Sequence, residues 1–204
     1  GVKKFIHVSA IGANINSKSL YQRSKFNGEQ KALNNFKNTI IIRPSVVCGV
    51  EDNFTNLFAK LSMFPVIPVV RTNYKFQPIL VDDVATAIVK AIDIKKNEGK
   101  IYEIGGPKII SFGDMVQSIL NTIGKKRLVI DLPMPLARIQ ATLFSLMPKP
   151  LLTRDQCEIL NEANNIVSNN HLTLKDLNIK PNDVEQAMSK WLWRFRSGGE
   201  FAKI

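Results

Sequence analysis

The stretch that decides the fold is residues 2–45, VKKFIHVSAIGANINSKSLYQRSKFNGEQKALNNFKNTIIIRPS. It opens on the apolar run Val2 to Ser9, which reads as a buried strand. A loop runs through Gly12 to Lys18, and Ser19 then starts a helix. Its hydroxyl can take up a free N–H of the first turn, and Gln22 three residues on completes the pattern of a capping box. The helix is expected to end near Phe36. Thr39-Ile40-Ile41-Ile42-Arg43 follows, a short β-branched run of the kind buried on both faces of a parallel sheet. It stops at Pro44, which has no N–H to give a ladder.

The alternation continues outward. Asn53 to Met63 predicts a helix, the Pro-rich stretch Phe64 to Val70 a loop, and Phe76 to Val81 another extended segment. Asp82 and Asp83 start a helix through about Ile92, with acidic groups at the positive end of its dipole. Ile101 to Ile104 is a strand, closed by Gly105-Gly106-Pro107. Ser111 with Asp114 caps a helix that stops at Gly124. After Asp131 the texture changes. Pro133, Pro135, Pro148 and Pro150 bracket an apolar helix-length segment, Thr153 with Gln156 caps a further helix, and a last helix spans roughly Asn182 to Phe195. Strands alternating with helices of this length predict an α/β fold. Residues 1–107 read as the back half of a Rossmann-like, doubly wound parallel sheet, and residues 108–204 as a smaller, mostly helical region. A strand beginning at the very first residues predicts an upstream segment of roughly a hundred residues with a Gly-rich loop in the parent protein.

The chain has 204 residues, 45% of them hydrophobic, which is enough for a sizeable core. Its net charge is +11, from 28 basic and 17 acidic residues. The basic residues are scattered and no nucleic-acid module appears, so nucleic acid is not expected as a partner. A diffuse positive field suits an anionic membrane surface or an acidic protein, and a bias toward Lys, Asn and Ile accounts for most of it. Cys48 and Cys157 form neither a disulfide framework nor a CxxC pair, which points to a reducing compartment. No apolar run reaches the roughly 20 residues that span a bilayer. His7 and His171 are too far apart for a zinc pattern, so no metal is expected.

The chemistry rests on Tyr21-Gln22-Arg23-Ser24-Lys25. A spacing of four puts Tyr21 and Lys25 on one helical face. A Tyr hydroxyl with a pKa of about 10 is a poor acid or base at neutral pH, and a neighbouring ammonium favours its ionised form. Alone, the pair occurs by chance in many helices. Here it follows a strand ending in Val8-Ser9-Ala10 and precedes one ending in Arg43-Pro44-Ser45 with Gly49 beyond. Val81-Asp82-Asp83-Val84-Ala85 and Tyr102-Glu103-Ile104-Gly105-Gly106-Pro107 come later.

In that order and at those distances, the set resembles the extended and atypical short-chain dehydrogenase/reductase superfamily, which includes nucleotide-sugar epimerases. Within it, FIHVSAIGANINSKSLYQRSK and RPSVVCGVEDNF look like the NAD(P)-binding accessory subunit of respiratory complex I and its bacterial relatives, most strongly from Val2 to Pro107. The resemblance implies NAD or NADP as cofactor, with NADP favoured; the residue that selects between them belongs to the front of the fold, outside this stretch. It implies Tyr21 as acid/base, Lys25 as the residue that orients the cofactor ribose, and Ser9, Pro44 and Ser45 as cofactor neighbours. It further implies a nicotinamide nucleotide and complex I subunits or the inner-membrane surface as partners. The location would be cytoplasmic or on the matrix side of the mitochondrial inner membrane, peripheral to it.

Two departures shape the functional expectation. Active members hold the substrate oxygen with a Ser or Thr just after the first strand, and the aligned position here is Ala10; a shift of one residue restores it as Ser9. No GxGxxG occurs, so the turn and helix N-terminus that hold a pyrophosphate are absent from this stretch, and weak cofactor binding is expected of it. The leading expectation is a structural or assembly subunit that uses the cofactor for stability. An active NAD(P)-dependent reductase or nucleotide-sugar epimerase/dehydratase is the alternative, and a truncated inactive gene product a third.

Other residues carry blander expectations. His7 reads as a satisfied structural histidine, Cys48 as a small buried hydrophobe, and Asp82 and Asp83 as helix caps. Gly28, mid-helix, reads as a close backbone contact. Leu136, Ile139, Leu143, Leu146 and Met147 fall at helical spacing. A core stripe is the first reading and an interfacial or partner-docking helix the second, with Lys149 and Arg154 suited to anionic head groups.

Overall fold

The computed structural model describes residues 1–94, 99–145, 147–148 and 150–199. Three parallel strands form the central sheet: β1 (Phe5–Val8), β2 (Thr39–Pro44) and, after the intervening elements, β7 (Ile101–Ile104). β2 is the middle strand and all six of its residues are buried, which is what its unbroken β-branched run requires. Register sets Phe5 beside Thr39 and Val8 beside Ile42, then Ile41 beside Ile101 and Pro44 beside Ile104. The helix α1 (Leu20–Asn35) makes the crossover from β1 to β2. Chain between β2 and β7 supplies β3 (Val47–Cys48), α2 (Asn53–Leu61), β4 (Val66–Val70), β5 (Lys75–Phe76), β6 (Ile79–Leu80) and α3 (Val81–Asp93). Beyond β7 come β8 (Ile110–Ser111), α4 (Phe112–Thr122), β9 (Leu128–Leu132), α5 (Met134–Phe144), α6 (Arg154–Asn161), α7 (Val184–Ala187) and α8 (Ser189–Leu192).

Three buried clusters hold these elements. One packs Ile40, Ile42 and Ile104 of the sheet against Val84 and Ala87 of α3 and Leu174. A second joins Phe58 of α2, Ile67 of β4, Met115 and Ile119 of α4, and Trp191 and Leu192 of α8. A third gathers Val70, Ala137, Ala141 and Cys157. Burying a large aliphatic or aromatic side chain is worth about 1.5–3 kcal/mol, so the second cluster is the main adhesive between residues early and late in the chain. No described helix is long and apolar enough to cross a membrane.

Several sequence expectations are corrected. Phe64 to Val70 is not all loop: Val66–Val70 is a strand, parallel to β9 with Pro68 beside Ile130. A parallel ladder uses alternate N–H groups of each strand, so Pro68 fits at a position whose N–H would point away from β9. Ser19 does cap α1, its hydroxyl accepting from Gln22 N at 3.3 Å, but the box does not close. The Gln22 side chain instead accepts from Ser17 Oγ at 2.7 Å. α3 has no side-chain cap; Asp83 is buried and accepts from Asn182 N at 2.8 Å and Asn182 Nδ2 at 2.7 Å. That contact holds Asn182 outside the last helical segment, which begins at Val184 under the cap Asp183 and is broken into α7, α8 and a short 3₁₀ turn.

The apolar stripe is the largest correction. Leu136, Ile139, Leu143 and Met147 are 54%, 60%, 64% and 48% exposed, while the core face of α5 consists of Ala137 and Ala141. Small residues let α5 lie close against α6 and β4, which turns the larger side chains outward. Leu146 and Lys149 lie outside the described residues.

Candidate functional site

β1 ends at Val8, and the chain turns there between the C-terminal end of the sheet and α1. Lys25 reaches back from α1 to this point, with Nζ 3.4 Å from the Val8 carbonyl oxygen. The same ammonium lies 5.6 Å from the centroid of the Tyr21 ring, so the pair shares one helical face. Tyr21 is half-exposed, and burial pushes its hydroxyl above the ordinary phenol range. Ser9 follows directly. It is 3% exposed, and its hydroxyl has no hydrogen-bond partner among the described residues. Such a buried orphan is uncommon and costs about 1–3 kcal/mol, which marks the position as one where a partner is missing.

His7 carries the other orphan. Its Nε2 is buried without a partner among the described residues, which corrects the expectation of a satisfied histidine. The ring lies against Gly28, where a Cβ would come within 3.2 Å of Nε2. Gly28 therefore does make a close contact, although to a side chain rather than to backbone.

Pro44 and Ser45 adjoin this site by a different route. The Pro44 carbonyl accepts from Ile11 N at 3.0 Å, tying the end of β2 to the loop after β1. Ser45 Oγ donates to Asn165 Oδ1 at 2.6 Å, and Asn165 Nδ2 reaches the Ile11 carbonyl at 3.4 Å. Ser45 is thus engaged by Asn165, not by Tyr21. Lys25 links Tyr21 to the end of β1 at Val8, next in sequence to Ser9, and Pro44 and Ser45 are tied to the loop after β1 through Ile11.

The sequence reading missed the groups that hold this edge in place. Asp155 at the start of α6 accepts from Leu20 N at 2.6 Å, Ser19 Oγ at 2.8 Å and Tyr21 N at 3.2 Å. A carboxylate there satisfies free N–H groups of α1 and complements its dipole. Glu162 accepts from Lys18 N at 2.7 Å and Ser17 Oγ at 2.9 Å. Beneath them, Arg43 donates to both carboxylate oxygens of Glu29, at 2.8 and 2.7 Å, and reaches Glu103 at 3.4 Å. The hydrogen bond to Glu29 leads the effects that push the Arg43 pKa further up. His171 Nε2 lies 3.2 Å from Arg43 Nη1, where it can only accept. Gly12, Gln22, Arg43, Asn165 and His171 border a polar cleft of about 290 Å³. No three His, Cys, Asp or Glu side chains among the described residues are placed to hold a metal.

Residues 12–196 match the RmlD substrate binding domain family. The chain belongs to that family. Its wider kinship is with the extended short-chain dehydrogenase/reductase superfamily, on the side related to a complex I subunit. The Arabidopsis thaliana protein named NADH dehydrogenase [ubiquinone] 1 alpha subcomplex subunit 9, mitochondrial, is 32% identical over 213 residues, covering 98% of this chain and 52% of that protein. The chain therefore spans about half the length of the curated relatives it matches. Among solved structures, the NADPH-dependent quinone oxidoreductase complexed with NADPH from Escherichia coli superposes with a TM-score of 0.73 at 16% identity, covering 93% of this chain and 66% of that one. A dTDP-4-dehydrorhamnose reductase from Bacillus anthracis in complex with NADP gives 0.64 at 18%, covering 92% and 64%. At these identities the likeness concerns the fold alone.

Proposed function

We propose that this chain is the back half of a nicotinamide-dinucleotide-binding subunit of the complex I accessory type, in which the cofactor serves structure and assembly and is not turned over. Residues 1–107 supply the cofactor-facing edge and residues 108–204 brace it, chiefly through Asp155 and Glu162. The observation that carries the reading is Ala10 at the position aligned to the substrate-holding hydroxyl. A general acid/base works best with a pKa near the operating pH, and the burial of Tyr21, which moves its hydroxyl the other way, supports the same reading.

The residues present fit the nicotinamide end of the cofactor. The Ser9 hydroxyl has no partner among the described residues, and the Lys25 ammonium is held by a long contact to the Val8 carbonyl and by the Tyr21 ring. Lys25 would hold the ribose, with Ser9, Tyr21, Pro44 and Ser45 as the other residues near the cofactor. When bound, the nicotinamide supplies a hydride donor or acceptor. The sequence holds no GxGxxG loop to take the pyrophosphate. NADP is the form this reading favours; the solved neighbours include complexes with NADP, NADPH and NAD. The complex I likeness and the exposed face of α5 support partners among complex I subunits or at the inner-membrane surface, and a location peripheral to that membrane on its matrix or cytoplasmic side.

The active reductase or epimerase/dehydratase remains the second reading, favoured by the unpartnered Ser9 hydroxyl next to Lys25. The first test is calorimetric titration of NADPH and NADH into the full-length protein. Lys25→Ala is expected to weaken binding about tenfold, the scale of one lost charged hydrogen bond. Unchanged affinity would remove Lys25 from the site.

A further inference from the structure

A cavity of about 300 Å³ lies between α2 and the α5–α6 pair. One wall is a cluster of aromatic rings from three elements: Phe54 meets Phe58 at 5.4 Å, Phe76 at 5.5 Å and Phe112 at 5.4 Å between centroids. The facing wall is aliphatic, from Leu132, Leu152, Ile159 and Leu160, with Phe144. Among the described residues no charged side chain lines it; the polar groups are Tyr74, Gln140, Gln156 and Asn165. Tyr74 and Asn165 also border the polar cleft, so the cavity adjoins it beside Ser45, which is bonded to Asn165.

This lining is wrong for a nucleotide sugar. A diphosphate needs cations or a row of N–H donors, and burying it against four phenylalanines would leave its charges unpaired. It is right for a neutral apolar chain. The volume is twice that of the engineered apolar cavity of about 150 Å³ that takes up benzene, and leaves space for on the order of ten carbon-sized groups. We infer that this cavity is a binding site for a medium-length acyl or isoprenoid chain, whose polar end lies at Tyr74 and Asn165. The inference is independent of the cofactor reading, and its test omits the cofactor, so each can fail without the other.

The probe is N-phenyl-1-naphthylamine, a neutral fluorophore, displaced in separate arms by 1-decanol, geraniol and UDP-glucose. Saturable one-to-one probe binding is expected, with displacement by 1-decanol or geraniol and none by UDP-glucose. The stronger competitor tells a straight acyl source from a branched isoprenoid one. Leu57 of α2 and Leu152 both line the cavity at partly exposed positions, so at least one of Leu57→Trp and Leu152→Trp is expected to fill it and keep the wild-type melting temperature. That variant should bind the probe at least tenfold more weakly. Non-saturable binding, displacement by UDP-glucose, or full affinity in both folded variants would overturn the inference.

Discussion

Arg43 is the residue on which the candidate site rests. It sits in the fully buried strand β2, and its guanidinium pairs with Glu29 of α1, with side-chain exposures of 10% and 1%. Breaking a buried pair from one side leaves an uncompensated charge and typically costs about 3–5 kcal/mol. Arg43→Met is therefore expected to destabilise by that amount in denaturant titration, and the double variant Arg43→Met with Glu29→Met to recover much of it. A loss below about 1 kcal/mol for the single variant would mean that water reaches the pair. Tyr74 offers a pH test. Burial raises its pKa from 10.0 to about 12, against a smaller lowering by Arg71. Below pH 10 the phenol is neutral folded and unfolded, so its contribution is complete. As pH rises from 10 toward 12 the unfolded phenol ionises first, and on the order of 2 kcal/mol is lost. Tyr74→Phe should flatten that part of the alkaline stability curve; an unchanged curve would contradict the assignment. The Arg43 network had one visible sign in the sequence, a charge inside an apolar run, but its partners lie 14, 60 and 128 residues away. No local pattern names partners at such separations.

At the scale of elements, local rules located the helices and missed what surrounds them. Capping residues placed α1, α4 and α6 to within a residue or two, because a cap is set by backbone N–H groups close in sequence. Val66–Val70 was obscured by Pro65 and Pro68, since a proline excludes only one side of a ladder and the free side cannot be known before its partner is. The same limit governs α5. Periodicity shows that Leu136, Ile139 and Leu143 share a face, but not whether that face or the Ala137–Ala141 face meets the body of the protein. Their exposure, with Arg138 and Arg154 close by, favours a docking surface. The triple variant Leu136→Ser, Ile139→Ser, Leu143→Ser should keep the melting temperature, because exposed substitutions usually cost no more than about 0.5 kcal/mol each. It should also bind vesicles containing cardiolipin at least tenfold more weakly than the parent. Cooperative unfolding at a much lower temperature would mean that the stripe belongs to the core after all.

Across the whole molecule, the order of strands and helices and the Tyr21–Lys25 pair were readable early, because a parallel sheet and a helical spacing of four leave a pattern in the sequence. What the sequence does not display is how the late chain grips the site. Asp155 appears as an ordinary first-turn acid of α6, and only the folded chain brings it to the N-terminus of α1, some 135 residues away. That grip holds the first turn of α1, which carries Tyr21, and in the function proposed above it steadies a cofactor that is bound and left unreacted. The direct test uses the full-length protein: calorimetric titration of NADPH beside nicotinamide absorbance across a panel of ketones, alcohols and nucleotide sugars. The account predicts saturable binding, no turnover, and no change in either with Tyr21→Phe. Turnover by the unmodified protein that Tyr21→Phe abolishes would contradict it.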